Sequence, residues 1–264
     1  MELRESEVDR RAVRYRVVGA GEPLVLVHGL GGSWRWWSRV VPTLARRRSV
    51  YLVDLPRLGR AVRPEELSSW LERWIDSVAI SRADLAGHSL GGLVAAEVAA
   101  KRAEWIRRLV LVAPAGIPCG RSVRARVVPL ATELLEVRRD LPMVVADAVR
   151  TRPLPLARGI AYSSRWDVRP ALPDVRVPTL LVWGRRDRLV PVAIADEWLR
   201  RLPHARLVQL QCSHVPLLEA PEELADRMLT FLDEQLPDDA RDEVGTRVVD
   251  GVWLVGDDDE PASG

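Results

Sequence analysis

Eight short stretches of the chain alternate apolar and polar residues with a period of two, or run apolar without a break. Longer stretches with apolar residues at helical spacing lie between most of them. The strand candidates are residues 2–8, 12–18, 24–27, 50–53, 82–85, 108–112, 179–183 and 206–210. Only Asp9-Arg10-Arg11 separates the first two, which predicts a hairpin, whereas each later pair is far enough apart for the helical crossover that parallel pairing requires. The pattern predicts an α/β fold built on a mostly parallel eight-stranded sheet flanked by helices.

Between Ala113 and Pro178 the alternation breaks. Helix-like stretches at 123–139 and 142–152 are punctuated by prolines at 129, 142, 153, 155, 170, 173 and 178. This insertion, about 117–175, leaves the C-terminal end of one strand and returns to the next, so it is expected to form a helical cap over that edge of the sheet. Residues 1–236 then make one domain. From Pro237 to Gly264 the chain is an acidic tail whose middle, 246–255, reads as a β-hairpin on an Asp250-Gly251 turn. Such a hairpin is too small to stand alone and is expected to dock on the body or on a second subunit, which would make a homo-oligomer.

The chemistry is concentrated in Ala86-Gly87-His88-Ser89-Leu90-Gly91-Gly92, directly after a strand. A serine between two glycines at a strand-to-helix turn is the pattern of a nucleophile elbow, where any larger side chain at Gly87 or Gly91 would strike neighbouring backbone. A serine hydroxyl needs a base, and the base needs a carboxylate to orient it. Of the four histidines, His204 follows Leu202-Pro203 in a polar turn, and the elbow directs the His88 ring away from Ser89. His28 opens His28-Gly29-Leu30-Gly31-Gly32 after an apolar run, where glycines suit a loop whose amides face an anion. His214, in Cys212-Ser213-His214-Val215-Pro216 just past the last strand, is the better base. Asp187 stands at the exit of the strand ending Trp183-Gly184 and completes the order Ser, Asp, His.

In these motifs the chain resembles the α/β-hydrolase family over about residues 2–236. The resemblance implies that Ser89 attacks an acyl carbonyl, His214 shuttles the proton and Asp187 orients the imidazole. It also implies that the backbone amides of Leu30 and Leu90 hold the oxyanion and that no cofactor is needed. Serine as nucleophile disfavours the aspartate-based dehalogenases and epoxide hydrolases of the family. His88 and Val215 stand where its carbon–carbon hydrolases usually carry asparagine and tryptophan. A carboxylic ester of a small or medium-sized substrate is the leading expectation, with lactones, thioesters and lipid monoesters open within the class. A hydrolase-fold protein that binds a small molecule with little turnover is the alternative outside it.

Residues placed around the substrate pocket are His28, Gly29, Trp34, His88 and Val215. Trp34, Trp36 and Trp37 follow the oxyanion loop in a helix capped by Ser33, where core packing is the default; Trp34, nearest the loop, is set at the pocket wall. Arg57-Leu58-Gly59-Arg60 departs from relatives that carry glycine and histidine at the first two positions; a long cation there suits either an acidic substrate or, more simply, a rim salt bridge.

Composition bounds the rest. The 264 residues, 47% hydrophobic, suffice for one full core. There is no run of eighteen apolar residues, and no apolar leader follows Met1-Glu2-Leu3-Arg4, so a cytoplasmic protein without a transmembrane segment is expected. Cys119 and Cys212 are then expected as free thiols. The net charge of +2 hides a body with 37 basic and 28 acidic residues, offset by a tail with nine acidic and two basic. The arginines are scattered without interleaved aromatics, which argues against a nucleic-acid partner, and no His and carboxylate cluster has metal-ligand spacing.

Overall fold

A computed structural model of the chain describes residues 1–57, 63–118 and 136–234. All eight expected strands are present, most of them extended by one to three residues: β1 Glu2–Val8, β2 Arg11–Val18, β3 Glu22–Val27, β4 Arg48–Val53, β5 Ala83–His88, β6 Ile106–Val112, β7 Thr179–Gly184 and β8 Ala205–Leu210. They form one sheet in the order β1-β2-β4-β3-β5-β6-β7-β8. β2 pairs antiparallel with β1 and β4, and every other pairing is parallel. The expected hairpin closes through Asp9 (φ 51°) and Arg10 (φ 60°), two left-handed residues whose turn matches the twist of the flanking strands.

Strand periodicity divides the core in two. Val25, Val27, Leu85, Leu109, Leu111, Leu181 and Trp183 face one side, where helices Leu67–Ser77 and Leu90–Lys101 bring Leu71, Trp74, Val94 and Val98. Leu24, Leu26, Ala86, Val110, Val112, Leu180 and Val182 face the other, covered by Val41–Leu44 and by Pro221–Asp233 with Leu224, Met228 and Leu232. Because both faces are covered, β5 and β7 are buried along their whole length, which explains the apolar runs where alternation fails.

Within the insertion, the expected stretch 142–152 is the helix Leu141–Thr151. A second helix, Pro153–Arg165, was not announced by the pattern, because Pro153 and Pro155 read as breaks. Both prolines sit in its first turn, where a missing N–H costs nothing. Residues 119–135, including most of the expected helix 123–139 and Cys119, lie outside the described residues, as does the tail from 235 with its hairpin. Among the described residues no helix is long and apolar enough to cross a membrane.

Candidate active site

The turn from β5 into helix Leu90–Lys101 places Ser89 at φ 52°, ψ −116°, a conformation that costs a non-glycine residue of order 1–3 kcal/mol. Surrounding glycines make it geometrically attainable. A Cβ on Gly87 would lie 2.2 Å from the Gly91 carbonyl oxygen, and one on Gly91 would lie 2.4 Å from that of His28. Both glycines are therefore required for the helix start to cross this close to β5 and β3.

Two loops at the C-terminal edge of the sheet bring the remaining expected groups to Ser89. His214, in the turn after β8, has Nε2 3.1 Å from Ser89 Oγ and Nδ1 2.7 Å from Asp187 Oδ2. The carboxylate can only accept, so Nδ1 carries the proton and the Nε2 lone pair faces the serine hydroxyl, as a general base requires. Asp187, 5% exposed in the loop after β7, has its other oxygen occupied by the amides of Leu189 (2.9 Å) and Val190 (2.7 Å). Three donors thus compensate a buried charge. The Trp183 indole closes that loop by donating to the Val190 carbonyl at 2.8 Å.

The glycine loop after β3 lies directly on the elbow: a Cβ on Gly29 would be 2.9 Å from His88 Nδ1 and 3.2 Å from Ser89 Cβ. Leu90 opens its helix, so its amide has no intrahelical partner, and among the described residues no acceptor takes the amide of Leu30 or Leu90. His28 fixes the loop. Its Nδ1 donates to the Gly29 carbonyl at 2.8 Å, while Nε2 accepts the Leu55 amide at 3.0 Å. That tautomer is neutral, and burial holds its pKa below the usual imidazole value.

Of the residues expected around the pocket, His88 is fully buried, His28 and Val215 are each 6% exposed, and Gly29 is buried. The His88 ring does point away from Ser89 Oγ, as expected: Nε2 donates to the His214 carbonyl at 2.9 Å, and burial pushes its pKa down to about 3. The Trp34 ring lies under the Arg16 guanidinium on β2, 4.1 Å from ring centroid to Cζ, and its amide donates to Asp54 at 2.6 Å. Trp36 and Trp37 are core residues in a short 3-10 helix, Trp34–Trp37, capped by Ser33 as expected. Cys212 is free and buried, and burial raises its thiol pKa. Arg57 is exposed; Leu58, Gly59 and Arg60 lie outside the described residues.

Two residues that position His214 escaped the sequence reading. Glu219 accepts the amides on both sides of the base, Ser213 at 2.7 Å and Val215 at 3.1 Å. An acid one turn into a helix that reaches back to the preceding amides is a recognisable cap, and it was the available signal. Gly184 ends β7 where a Cβ would sit 1.9 Å from the Ser213 carbonyl oxygen, so only glycine lets the acid and base loops approach this closely.

Comparison with known proteins agrees with this geometry. The family model described as "Alpha/beta hydrolase family" matches residues 24–227. Among curated proteins, the chain is 30% identical over 251 residues to a pimeloyl-[acyl-carrier protein] methyl ester esterase of Vibrio atlanticus, covering 82% of this chain and 96% of that one. It is also 30% identical over 263 residues to a dihydrolipoyllysine-residue acetyltransferase component of an acetoin cleaving system of Pseudomonas putida, covering 86% and 68%. Among solved structures, an enol-lactonase of Burkholderia xenovorans superposes with a TM-score of 0.75 at 25% identity, over 88% of this chain and all of that one. With the sheet order, the elbow and the family match in agreement, the chain belongs to the α/β-hydrolase family.

Proposed function

We propose that this protein hydrolyses carboxylic esters through an acyl-enzyme formed on Ser89, with His214 as general base and acid and Asp187 as its orienting carboxylate. Ser89 Oγ attacks the ester carbonyl as its proton passes to His214 Nε2, and Asp187 stabilises the imidazolium. The amides of Leu30 and Leu90 receive the oxyanion, each such donor being worth on the order of a hundredfold or more in rate. His214 returns the proton to the departing alkoxide. Water, deprotonated by the same nitrogen, then releases the acid and regenerates Ser89. The observation that carries the reading is the continuous chain from Ser89 Oγ through His214 to Asp187, at 3.1 and 2.7 Å, on a strained elbow. The ester-cleaving names of the Vibrio and Burkholderia relatives support the reaction class.

The test is a panel of p-nitrophenyl esters with acyl chains of graded length, run on wild type and Ser89→Ala. Turnover by wild type, with a loss of roughly a thousandfold to a millionfold in the variant, is expected. Binding without turnover by wild type would favour a ligand-binding role instead.

The insertion serves in this reading as a cap, because Leu156 of Pro153–Arg165 lies against Gly31 of the glycine loop. Its helices also expose Val145, Val149 and Leu154 near the exposed cations Arg152 and Arg158. That surface favours a second, narrower reading in which the acyl chain arrives on a carrier protein, as in the Vibrio relative's name. The same methyl ester offered free and on acyl-carrier protein separates the two, since equal kcat/KM values would remove the narrower one.

A further inference from the structure

Asp147 is a carboxylate from the insertion helix Leu141–Thr151, 3% exposed, and it is buried against the core domain. Ser33 Oγ donates to its Oδ2 at 2.7 Å, and the Arg35 guanidinium approaches its Oδ1 at 3.5 Å. Arg150, on its own helix, completes the set at 3.3 Å. Ser33 is the residue after the glycine loop. Its Oγ also accepts the Arg35 amide at 3.4 Å, which caps the 3-10 helix that anchors the loop's far end. The near end is held by His28, so the loop is pinned on one side by the core and on the other by the insertion. A second contact runs the same way: Gly31, at φ 72°, is covered by the Leu156 side chain, which would lie 3.1 Å from a Cβ there. Within the loop, the Gly32 amide donates to the Gly29 carbonyl at 3.1 Å.

We propose that Asp147 is a positioning residue for the oxyanion-binding loop: through Ser33 it makes seating of the insertion helix a condition for the Leu30 amide to face the developing anion. The proposal rests on the reading of Leu30 as an oxyanion donor. In this arrangement the insertion does more than cover the crevice. When the helix lifts, the Ser33 hydroxyl loses its acceptor, the loop loses its C-terminal anchor, and the serine stands beside an incomplete anion site. A seated helix therefore links enclosure of the substrate to stabilisation of the transition state.

The charge and the hydrogen bond are separable by substitution. Asp147→Asn keeps an oxygen for Ser33 and abolishes the pairing with Arg35 and Arg150, whereas Asp147→Ala removes both. Ser33→Ala removes the donor to Asp147 together with the acceptor that caps the Arg35 amide. Full-length variants are compared by kcat and KM for a p-nitrophenyl ester, by affinity for a trifluoromethyl ketone that forms a tetrahedral adduct on Ser89, and by hydrogen–deuterium exchange of peptides spanning Gly29 to Trp34. In Asp147→Ala and Ser33→Ala, kcat and ketone affinity are expected to fall together by about tenfold, a fraction of the full worth of an oxyanion donor. KM should stay within about twofold, exchange of the loop should rise, and the double variant should be no worse than the more impaired single one. Asp147→Asn is expected to keep most of kcat and of the ketone affinity even where its melting temperature drops. Unchanged loop exchange in Asp147→Ala overturns the tether itself, as does a loss in Asp147→Asn equal to that in Asp147→Ala, which would mark a charge needed only for folding. Faster exchange with unaltered kcat and ketone affinity overturns the proposal differently, by showing that Leu30 is not the oxyanion donor.

Discussion

The imidazole of His88 donates from Nε2 to the backbone carbonyl of His214 at 2.9 Å, so the residue beside Ser89 holds the main chain of His214. The ring is fully buried between Trp36 and the His214 ring, with centroids 5.9 and 5.1 Å away. A glutamine amide can place its nitrogen where the imidazole Nε2 stands, whereas leucine offers volume without a donor. His88→Gln is expected to retain most of the esterase kcat, and His88→Leu to lose about tenfold, in line with the 1–3 kcal/mol cost of an unpaired buried carbonyl. The rate of Ser89 phosphonylation checks this, and equal rates in the two variants would remove the positioning role.

The same burial sets a pH dependence of stability. The folded state holds His88 at about 3 and also lowers His28, whereas an unfolded chain protonates both near the ordinary imidazole value of about 6.5. Above that value both states are neutral. As pH falls below it, the unfolded state takes up protons that the folded state refuses, and stability declines by up to about 1.4 kcal/mol per pH unit for each histidine. For His88 the loss continues toward pH 3. Urea unfolding between neutral pH and the mildly acidic range should show this slope, and His88→Gln should reduce it by about one proton.

Asp187 accepts from three donors, and asparagine cannot. With one acceptor oxygen for the Leu189 and Val190 amides and His214 Nδ1–H, Asp187→Asn must turn its NH2 toward a donor or force the other histidine tautomer. A loss of kcat up to about ten-thousandfold is expected, with the fold retained. A mild loss, measured on protein with a native circular dichroism spectrum, would place the orienting acid elsewhere.

Glu219 grips the amides of Ser213 and Val215, so its loss should loosen His214 without touching substrate. Glu219→Gln, which can satisfy only one of the two amides well, is expected to lower kcat about tenfold at constant KM. A KM effect alone would assign Glu219 to the pocket instead.

The final described helix, Pro221–Asp233, completes the second face of the core with Met228, Phe231 and Leu232. A chain ending at Leu236 is therefore expected to fold and to turn over esters. Light scattering reports whether the acidic tail carries self-association, and loss of turnover with an intact fold would bring the tail into the active site.

The strands, their order of chemistry and the elbow were legible because each depends on short stretches of sequence. Alternation in 2–8 or 206–210 marks a sheet with a distinct inner face, and Gly87 and Gly91 mark a turn that tolerates no Cβ. Asp187 and His214 follow from standing just past apolar runs, since parallel strands deliver all such exits to one edge. Side-chain direction is another matter. His88 and His214 are 126 residues apart in sequence, and Ser33 and Asp147 are 114 apart. No local pattern states that a buried imidazole or carboxylate will end against those partners. Trp34 likewise meets partners distant in sequence, its backbone amide donating to Asp54 and its ring lying against Arg16 on β2. Short-range pattern alone specifies where Ser89, Asp187 and His214 leave the sheet. Only tertiary packing decided which neighbours hold them at reacting distance, because those contacts join segments whose proximity arises from the folded topology.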